Sequence, residues 1–325
     1  RADWYNERLL PWIENHAAEP FFAFVHYWDV HQPYTQPKSY RNLFHHKQGD
    51  LSDLQIKEAQ AGYRYVPGWG KIEDIYEGYG MVPEQRSPGT VPSREASIDL
   101  YDGAVSYLDR CIRDVVEMLK KKKIFNDTLI MVTSDHGELL GQHGIYTHVN
   151  LYDANVHIPL LISFPAELAG GRCIDGLSSQ VDILPTVLDF TGIRNGPLLD
   201  GVSLRSLIDG AKPREEIFSE DGGGIRSIRK GDYKLINYDQ DDVNELYDVV
   251  MDPMEVENLS TLHKDKTKIL SNRLNEWVQS SLKNGQPDPI KYVTQKTNFR
   301  KAYRQLFMDE YQGKGFVYKI DSNKD

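Results

Sequence analysis

Residues 127–144 read DTLIMVTSDHGELLGQHG, and this stretch sets the fold class. The apolar and β-branched run from Thr128 to Thr133 predicts a buried strand, and Asp135 and His136 leave its end together. Carboxylate oxygen suits Mg²⁺ or Ca²⁺, imidazole adds tolerance for Mn²⁺ or Zn²⁺, and Gly137 lets the backbone turn sharply behind the pair. A metal site is one interpretation of this pair. On spacing alone, a helix cap beside a surface histidine is the other, and it is the commoner one.

The segments on either side alternate between helix and strand. Upstream, apolar residues recur at steps of three and four from Ile98 to Leu119, which predicts a long helix with one face on a sheet. Downstream, residues 156–164 predict a second buried strand, and residues 182–190 predict a helix that closes at Gly192. This order indicates an α/β domain, a mixed sheet flanked by helices, in which ligand sites gather at the carboxyl ends of strands.

A further candidate residue lies closer to the start of the chain. Residues 5–17 predict a short helix interrupted near Pro11, and the aromatic run from Phe21 to Trp28 predicts another strand. His31 follows that run in a polar loop, so it can reach the same edge of the sheet as the Asp-His pair. There it could hydrogen-bond an anionic ester oxygen or protonate a leaving group, and a solvated loop histidine is the equal alternative.

The sequence pattern changes near Lys212. The following segment contains short strand-like pieces separated by Gly and Asp turns, and then a helical stretch at 262–282. This pattern predicts a small antiparallel sheet covered by one helix. The predicted domains are an α/β domain at residues 1–212, a small α+β subdomain at 213–285 and a tail at 286–325.

Composition argues against several classes of function. The formal net charge of −10 disfavours nonspecific nucleic-acid binding, which needs a basic surface. No apolar stretch approaches the length that spans a bilayer. Cys111 and Cys173 are too few for a disulfide framework and form no metal-binding pair, so the compartment stays open. The chain opens on Arg-Ala-Asp-Trp-Tyr, which is neither a signal peptide nor a natural initiator, and we expect a fragment or a processed piece.

Together these segments resemble the sulfatase family of the alkaline phosphatase superfamily. The run from Asp127 to Pro165 resembles the family's metal strand with its Asp-His-Gly-Glu, Gly-x-His-Gly and Val-Pro-Leu motifs. PFFAFVHYWDVHQPY at 20–34 resembles its strand and His-x-Pro-Tyr loop, and YDGAVSYLDRCIRDVVEML at 101–119 resembles its long helix. The similarity continues in family order, covers roughly residues 15–285 and implies an alkaline phosphatase-like fold.

The resemblance also implies roles for individual side chains. Asp135 and His136 match late metal ligands of the family, and His31 matches the histidine that contacts the sulfate ester. His148 falls where many members carry a sulfate-binding lysine. A histidine at this position occurs in the branch with the motif Asp-His-x-Gly-Leu-Tyr-Asp, which residues 147–153 approximate. A histidine there loses a permanent charge and makes sulfate binding or leaving-group protonation depend on pH. His31 and His148 are therefore the expected catalytic residues.

Two family elements have no counterpart ahead of His31. One is a strand ending in an Asp-Asp pair that supplies the other metal ligands. The second is the signature Cys/Ser-x-Pro-Ser-Arg, whose first residue becomes the nucleophile formylglycine. Asp241 and Asp242 are adjacent, but they lie in the small C-terminal part and are interpreted as a surface turn, and His143 in Gly-x-His-Gly is interpreted as structural. We expect the missing elements in an N-terminal part that this chain lacks.

Residues 35–92 predict an irregular excursion with one helix near 51–62. At its end lies a stretch similar to the formylglycine signature Cys/Ser-x-Pro-Ser-Arg. Thr90-Val91-Pro92-Ser93-Arg94 fits its letters except for the threonine. Threonine is a secondary alcohol, so oxidation would give a ketone in place of an aldehyde. The stretch also follows the His-x-Pro loop, and Pro92 and Ser93 suit the start of the next helix. We therefore interpret Thr90 as structural.

The resemblance implies metal-dependent hydrolysis of sulfate esters, with Ca²⁺ the expected ion and Mg²⁺ or Mn²⁺ as alternatives. The expected substrate is a sulfated small molecule or glycan, and the expected partners are the missing N-terminal portion or a second copy of the chain. Two other functions stay open. The chain could belong to a phosphodiesterase or phosphonate monoester hydrolase of the same superfamily, or it could be an inactive sulfatase-like binding module.

Overall fold

The computed structural model describes residues 1–31, 34, 36–44, 65–66, 70–71, 94–144, 148, 150–194, 196, 198–221, 224–238, 243–282 and 288. Several predictions lie outside this part of the chain, namely the helix near 51–62, Thr90, the Asp241-Asp242 turn and the tail apart from Asp288. Within the described part, no helix is both long and apolar enough to cross a membrane.

A long amphipathic helix carries the N-terminal segment on its surface. Helix α1 spans Ala2–His16, α2 spans Lys38–Arg41 and α3 spans Arg94–Lys121, close to the helix predicted from periodicity. The predicted interruption near Pro11 is wrong, because α1 continues through it. Packing on both sides overrides the lost backbone hydrogen bond: Asn6 Nδ2 donates to the Cys111 carbonyl at 2.8 Å, and Ile13 is buried beyond the proline.

The strand predicted for Phe21 to Trp28 is not formed. The segment has no strand partner among the described residues, and Phe22, Phe24 and Trp28 are 77%, 82% and 54% exposed. Phe21, Val25 and Tyr27 are half-buried, so its side chains keep much of the alternation of a strand. An apolar run becomes a strand only when a neighbour accepts its backbone hydrogen bonds. The sequence carries the strand pattern, and the described chain supplies no neighbour.

The strand that precedes Asp135 pairs with a strand that lies further along the chain. Within residues 35–92, strand β1 at Tyr65–Val66 pairs with strand β2 at Gly70–Lys71. Strand β3 at Ile130–Thr133 then pairs antiparallel with β4 at Leu160–Ser163. The prediction that both are buried is wrong: they are half-buried and Leu161 is 59% exposed, because each has one hydrogen-bonded neighbour among the described residues.

Three short helices follow β3 in the chain. Helix α4 spans Asp153–Val156, so it ends at the residue where the predicted strand 156–164 begins, and the strand itself starts later than expected. Helix α5 spans Ile183–Phe190, as predicted, and ends before Gly192, whose φ of 72° is the left-handed conformation that glycine adopts easily. Helix α6 spans Arg205–Ile208.

The C-terminal part is a four-stranded antiparallel meander under one helix, as predicted. Strands β5 at Glu216–Glu220, β6 at Ile225–Lys230, β7 at Tyr233–Tyr238 and β8 at Val243–Asp248 pair in chain order. Helix α7 at Lys264–Ser281 covers one face of the sheet. The core between them is formed by Ile228, Leu235, Leu246, Leu270 and Leu274.

The other face of this sheet shares a core with the segment that follows β3. Leu139, Leu151 and Tyr152 from that segment pack with sheet residues, which are Ile225, Ile236, Tyr238, Tyr247 and Val249. Burying apolar area of this kind stabilises a fold by roughly 25 cal/mol per Å². The C-terminal sheet therefore supports the loop that contains the candidate site.

Candidate active site

Three imidazole rings meet beyond the end of β3. His136 and His148 stack with ring centroids 4.1 Å apart, and His31 lies 5.0 Å from His148 and 6.3 Å from His136. His31 is placed by a tight turn in which its backbone N–H donates to the Trp28 carbonyl at 3.2 Å, with Val30 at a φ of 74°. The structure thus brings together the three histidines that the sequence analysis named as candidate site residues, although His31 is distant in the chain from the other two.

Asp135 and His136 are arranged so that both can face one cation. His136 Nδ1 lies 2.8 Å from the Gly137 carbonyl, which can only accept, so Nδ1 carries the proton and the Nε2 lone pair is left for a ligand. That Nε2 lies 3.7 Å from Asp135 Oδ1. Gln180 Nε2 donates to the carbonyls of Ser134 and Asp135 at 3.1 and 2.7 Å and holds the strand end in place.

Gly137 is required by a close approach and not by a left-handed turn. Its N–H donates to the Asn155 carbonyl at 2.7 Å, and a side chain on it would collide with the Ala154 carbonyl. Helix α4 therefore sits directly behind the Asp-His pair. The sequence assigned Gly137 to a sharp backbone turn, whereas in the structure a glycine is needed there because Ala154 approaches closely.

In the part of the chain that the structure describes, the donors fit two positions of a divalent metal. A carboxylate oxygen and an imidazole nitrogen 3.7 Å apart suit adjacent ligands of one ion. Within the described ranges, no group of three or more His, Cys, Asp or Glu side chains is arranged to hold a metal. A tightly bound metal would need further ligands from outside the described residues.

Sequence reasoning gave no role to Glu138, which contacts the third histidine. Its Oε2 lies 3.4 Å from His148 Nδ1, and its side chain is only 4% exposed. The signal was present, because an acidic residue directly after Asp-His-Gly lies within the same turn. The contact itself could not be predicted from the motif, because the fold brings His148, ten positions later in the chain, back to Glu138.

The loop around His148 is held by polar contacts with the C-terminal sheet. Asn150 is buried at a φ of 88°, and its Nδ2 donates to Tyr238 Oη at 3.1 Å. Tyr238 and Tyr152 both donate to Glu245 Oε2, at 2.8 and 3.0 Å. Burial raises the pKa of Glu245 and raises those of both tyrosines well above the ordinary value. The two hydroxyls therefore keep their protons as donors.

His143 lies away from the three rings. Its ring stacks on Tyr152 with centroids 3.7 Å apart and planes within 7°. Burial lowers its pKa to about 4, so the ring is neutral near pH 7. This placement fits the structural interpretation of the Gly-x-His-Gly motif.

The lowered pKa of His143 predicts a pH-dependent stability. The unfolded chain binds a proton at this residue near pH 6.5 and the folded chain only near 4, so the free energy of unfolding falls by about 3 kcal/mol as pH drops through that window. His143→Asn tolerates the φ of 52° and should lack this slope. Urea unfolding of both proteins at pH 7 and 4.5 measures the difference. Curves that shift in parallel, or an equal effect of the exposed His157→Asn control, would contradict it.

Comparison with known proteins places this arrangement in a family. The family model described as Sulfatase matches residues 5–193, more than half of the 325-residue chain. The chain belongs to the sulfatase family. A second model, described as the C-terminal part of N-sulphoglucosamine sulphohydrolase, matches residues 141–283. The sulfatase region thus includes the three histidines, and the second match includes His148 and the C-terminal sheet.

Individual relatives agree with this assignment. The sulfatase-family chain is 27% identical to arylsulfatase K of Mus musculus over 305 residues, which is 85% of the chain and 53% of that protein. Among solved structures, the phosphonate monoester hydrolase of Agrobacterium radiobacter matches with a TM-score of 0.67 at 22% identity, covering 86% of the chain and 60% of that protein. A protein solved with its substrate D-glucosamine-2-N,6-O-disulfate matches with a TM-score of 0.54 at 24% identity, covering 86% of the chain and 63% of that protein.

These likenesses confirm the predicted fold class, α/β of the alkaline phosphatase type. All strand pairs in the described part of the sulfatase-family chain are antiparallel. The chain spans about half the length of the curated relatives it matches.

Proposed function

We propose that this chain forms the metal-binding and leaving-group side of the active site of a metal-dependent sulfatase, which hydrolyses sulfate esters. The observation that carries the proposal is the convergence of His31, His136 and His148 beside Asp135 at the end of β3. Family membership and the sulfatase relatives support it.

In this proposal Asp135 and His136 hold a divalent ion, with Ca²⁺ expected and Mg²⁺ or Mn²⁺ as alternatives. The bound ion would neutralise sulfate oxygens, and a formylglycine from the family's preceding segment would supply the nucleophile. The proton on His136 Nδ1 is held by the Gly137 carbonyl, which keeps Nε2 directed at the ion. Gln180 keeps the strand end rigid by its bonds to the Ser134 and Asp135 carbonyls.

The other two histidines act on the ester. His31 lies 5.0 Å from His148, so both rings can contact one sulfate group. His31 hydrogen-bonds an ester or sulfate oxygen, and His148 delivers a proton to the departing oxygen. Both roles need side chains that are reachable from solvent, and the two residues are half-buried.

A sulfated glycan or a sulfated small molecule is the proposed substrate. The structural neighbour that binds a disulfated glucosamine supports the glycan. For partners, the exposed Phe22, Phe24 and Trp28 favour a covering segment, as does the edge of β3 that has no strand neighbour in the described part of the chain. The proposed covering segment comes from the preceding portion of a sulfatase or from a second copy.

The second candidate is a phosphonate monoester hydrolase or phosphodiesterase. The structural likeness to the Agrobacterium radiobacter enzyme favours it, because a metal and histidines can stabilise a phosphoryl oxygen as well as a sulfuryl oxygen. The third candidate is an inactive binding module, which is favoured by the finding that the described residues supply only two adjacent metal donors.

The test compares hydrolysis of an aryl sulfate, an aryl phosphodiester and an aryl phosphonate monoester with Ca²⁺, using the chain together with whatever its gene encodes before Arg1. A sulfatase hydrolyses the aryl sulfate fastest. Faster turnover of the phosphodiester or phosphonate would favour the second candidate. Calorimetry that detects no binding of Ca²⁺, Mg²⁺ or Mn²⁺, together with no turnover, would favour the inactive module.

A further inference from the structure

Glu138 is a buried carboxylate with a single described ion-pair partner. Its side chain is 4% exposed and its Oε2 lies 3.4 Å from His148 Nδ1. Its Oε1 is buried and makes no hydrogen bond in the described structure. Burial raises the pKa of Tyr101, and the charge of Glu138 adds to that rise.

This environment differs from that of the other buried acids. Glu255, only 2% exposed, has Lys234 Nζ at 2.8 Å, and buried Asp182 has Arg214 Nη2 at 2.6 Å. No lysine or arginine of the described chain forms an ion pair with Glu138. A carboxylate buried without a permanent cation costs stability, so folding alone gives no reason for an acid here.

We propose that Glu138 is the positioning residue for His148. The carboxylate accepts a hydrogen bond from His148 Nδ1–H and thereby leaves Nε2 as the ring nitrogen that exchanges a proton with the substrate. Stacking on His136, with the ring planes within 20°, fixes the tilt of the ring, and the contact with Glu138 fixes its rotation. The inference deepens the proposed function, on which its catalytic part rests.

The two constraints act on different degrees of freedom. Stacking leaves the His148 ring able to flip by 180° about χ2, which keeps the ring plane but exchanges Nδ1 with Cδ2 and Nε2 with Cε1. A carboxylate on one side of the ring removes that freedom, because only Nδ1–H can reach Oε2 in the observed placement. The 3.4 Å separation is long for a hydrogen bond, and such contacts often shorten when substrate binds.

Two substitutions separate positioning from a structural role. Glu138→Met has a similar length and removes the acceptor. Because no lysine or arginine ion pair is lost with it, the free energy of unfolding should be unchanged or higher. Glu138→Gln keeps one acceptor oxygen and should retain part of the effect. Glu117→Met on the exposed surface of α3 is the matched control.

The first measurement needs no enzymatic activity. Nitrogen-15 shifts of histidine-labelled chain report which ring nitrogen carries the proton, and His148→Gln assigns the signal. We expect Nδ1–H in the wild type and the E117M control, and a shift towards Nε2–H in E138M. An unchanged His148 tautomer in E138M would overturn the inference, whether or not the protein hydrolyses sulfate esters.

The second measurement is turnover by the complete protein on a sulfate ester. In E138M kcat should fall by about 10–100-fold with KM nearly unchanged, and E138Q should lose less. A tautomer shift in E138M without any turnover in the wild type would support positioning and contradict the proposed function. Equal losses in E138Q and E138M, or a loss that follows a fall in stability, would instead assign Glu138 a structural role and overturn the inference.

Discussion

Replacing His148 by glutamine should lower kcat for a sulfate ester with a poor leaving group by about 10²–10⁴-fold, the range that a positioned general acid contributes. A sugar alkoxide is strongly basic and needs a proton as the S–O bond breaks. Glutamine keeps a hydrogen-bond donor near the site but cannot transfer a proton at neutral pH. The loss should therefore depend on the leaving group.

The measurement compares a sulfated sugar with 4-nitrophenyl sulfate, whose leaving group is stable without a proton. For that second substrate the loss should be less than about tenfold. His157→Gln provides the matched control, because His157 is exposed and lies outside the three-ring cluster. Equal losses on both substrates would assign His148 to sulfate binding and contradict a role in proton transfer.

Lys234→Met should cost about 3–5 kcal/mol in the free energy of unfolding, the range for breaking a buried ion pair from one side. Lys234 is 2% exposed, and its Nζ lies 2.6 Å from Asp153 Oδ1 and 2.8 Å from Glu255 Oε1. Methionine would leave Glu255 buried and Asp153 half-buried, and Arg229, 3.7 Å from Asp153, would be the remaining ion-pair partner of either acid among the described residues. Urea unfolding followed by circular dichroism measures the loss.

The control and the pH dependence make this prediction specific. Lys230→Met removes an exposed lysine whose Nζ lies 2.8 Å from Glu216 on the same sheet, and it should cost less than about 1 kcal/mol. Burial raises the pKa of Glu255 and Lys234 opposes that rise, so removing the lysine raises this pKa further. The deficit of K234M should shrink as pH falls and Glu255 takes up a proton. A deficit no larger than that of K230M would contradict the assignment.

Sequence predicted best those elements whose pattern and partners lie close together. Strands β6 and β7 are joined by the Gly231-Asp232 turn, so each strand finds its hydrogen-bonding neighbour directly along the chain. Helix α3 was predictable because its apolar positions repeat over many turns. In both cases local preference and final packing agree.

Sequence failed where distant segments decide the outcome. Phe21 to Trp28 has the pattern of a strand but lacks a described neighbour, and Pro11 is tolerated because packing holds α1 on both sides. The site shows the same division. Asp135 and His136 were visible as a motif, whereas the contacts of Glu138 with His148 and of Asn150 with Tyr238 join positions that only the fold brings together.

The shared core of the His148 loop and the C-terminal sheet has a consequence for how the site opens. Leu139, Leu151 and Tyr152 can leave their places only if the sheet face formed by Ile236 and Tyr238 is wetted as well. We therefore expect these three residues and the sheet to open as one cooperative unit, with the amide protons of Leu139, Leu151 and Tyr152 exchanging with solvent no faster than those of the sheet. The placement of His148 thus depends on the stability of the C-terminal sheet, although His148 itself lies in a loop.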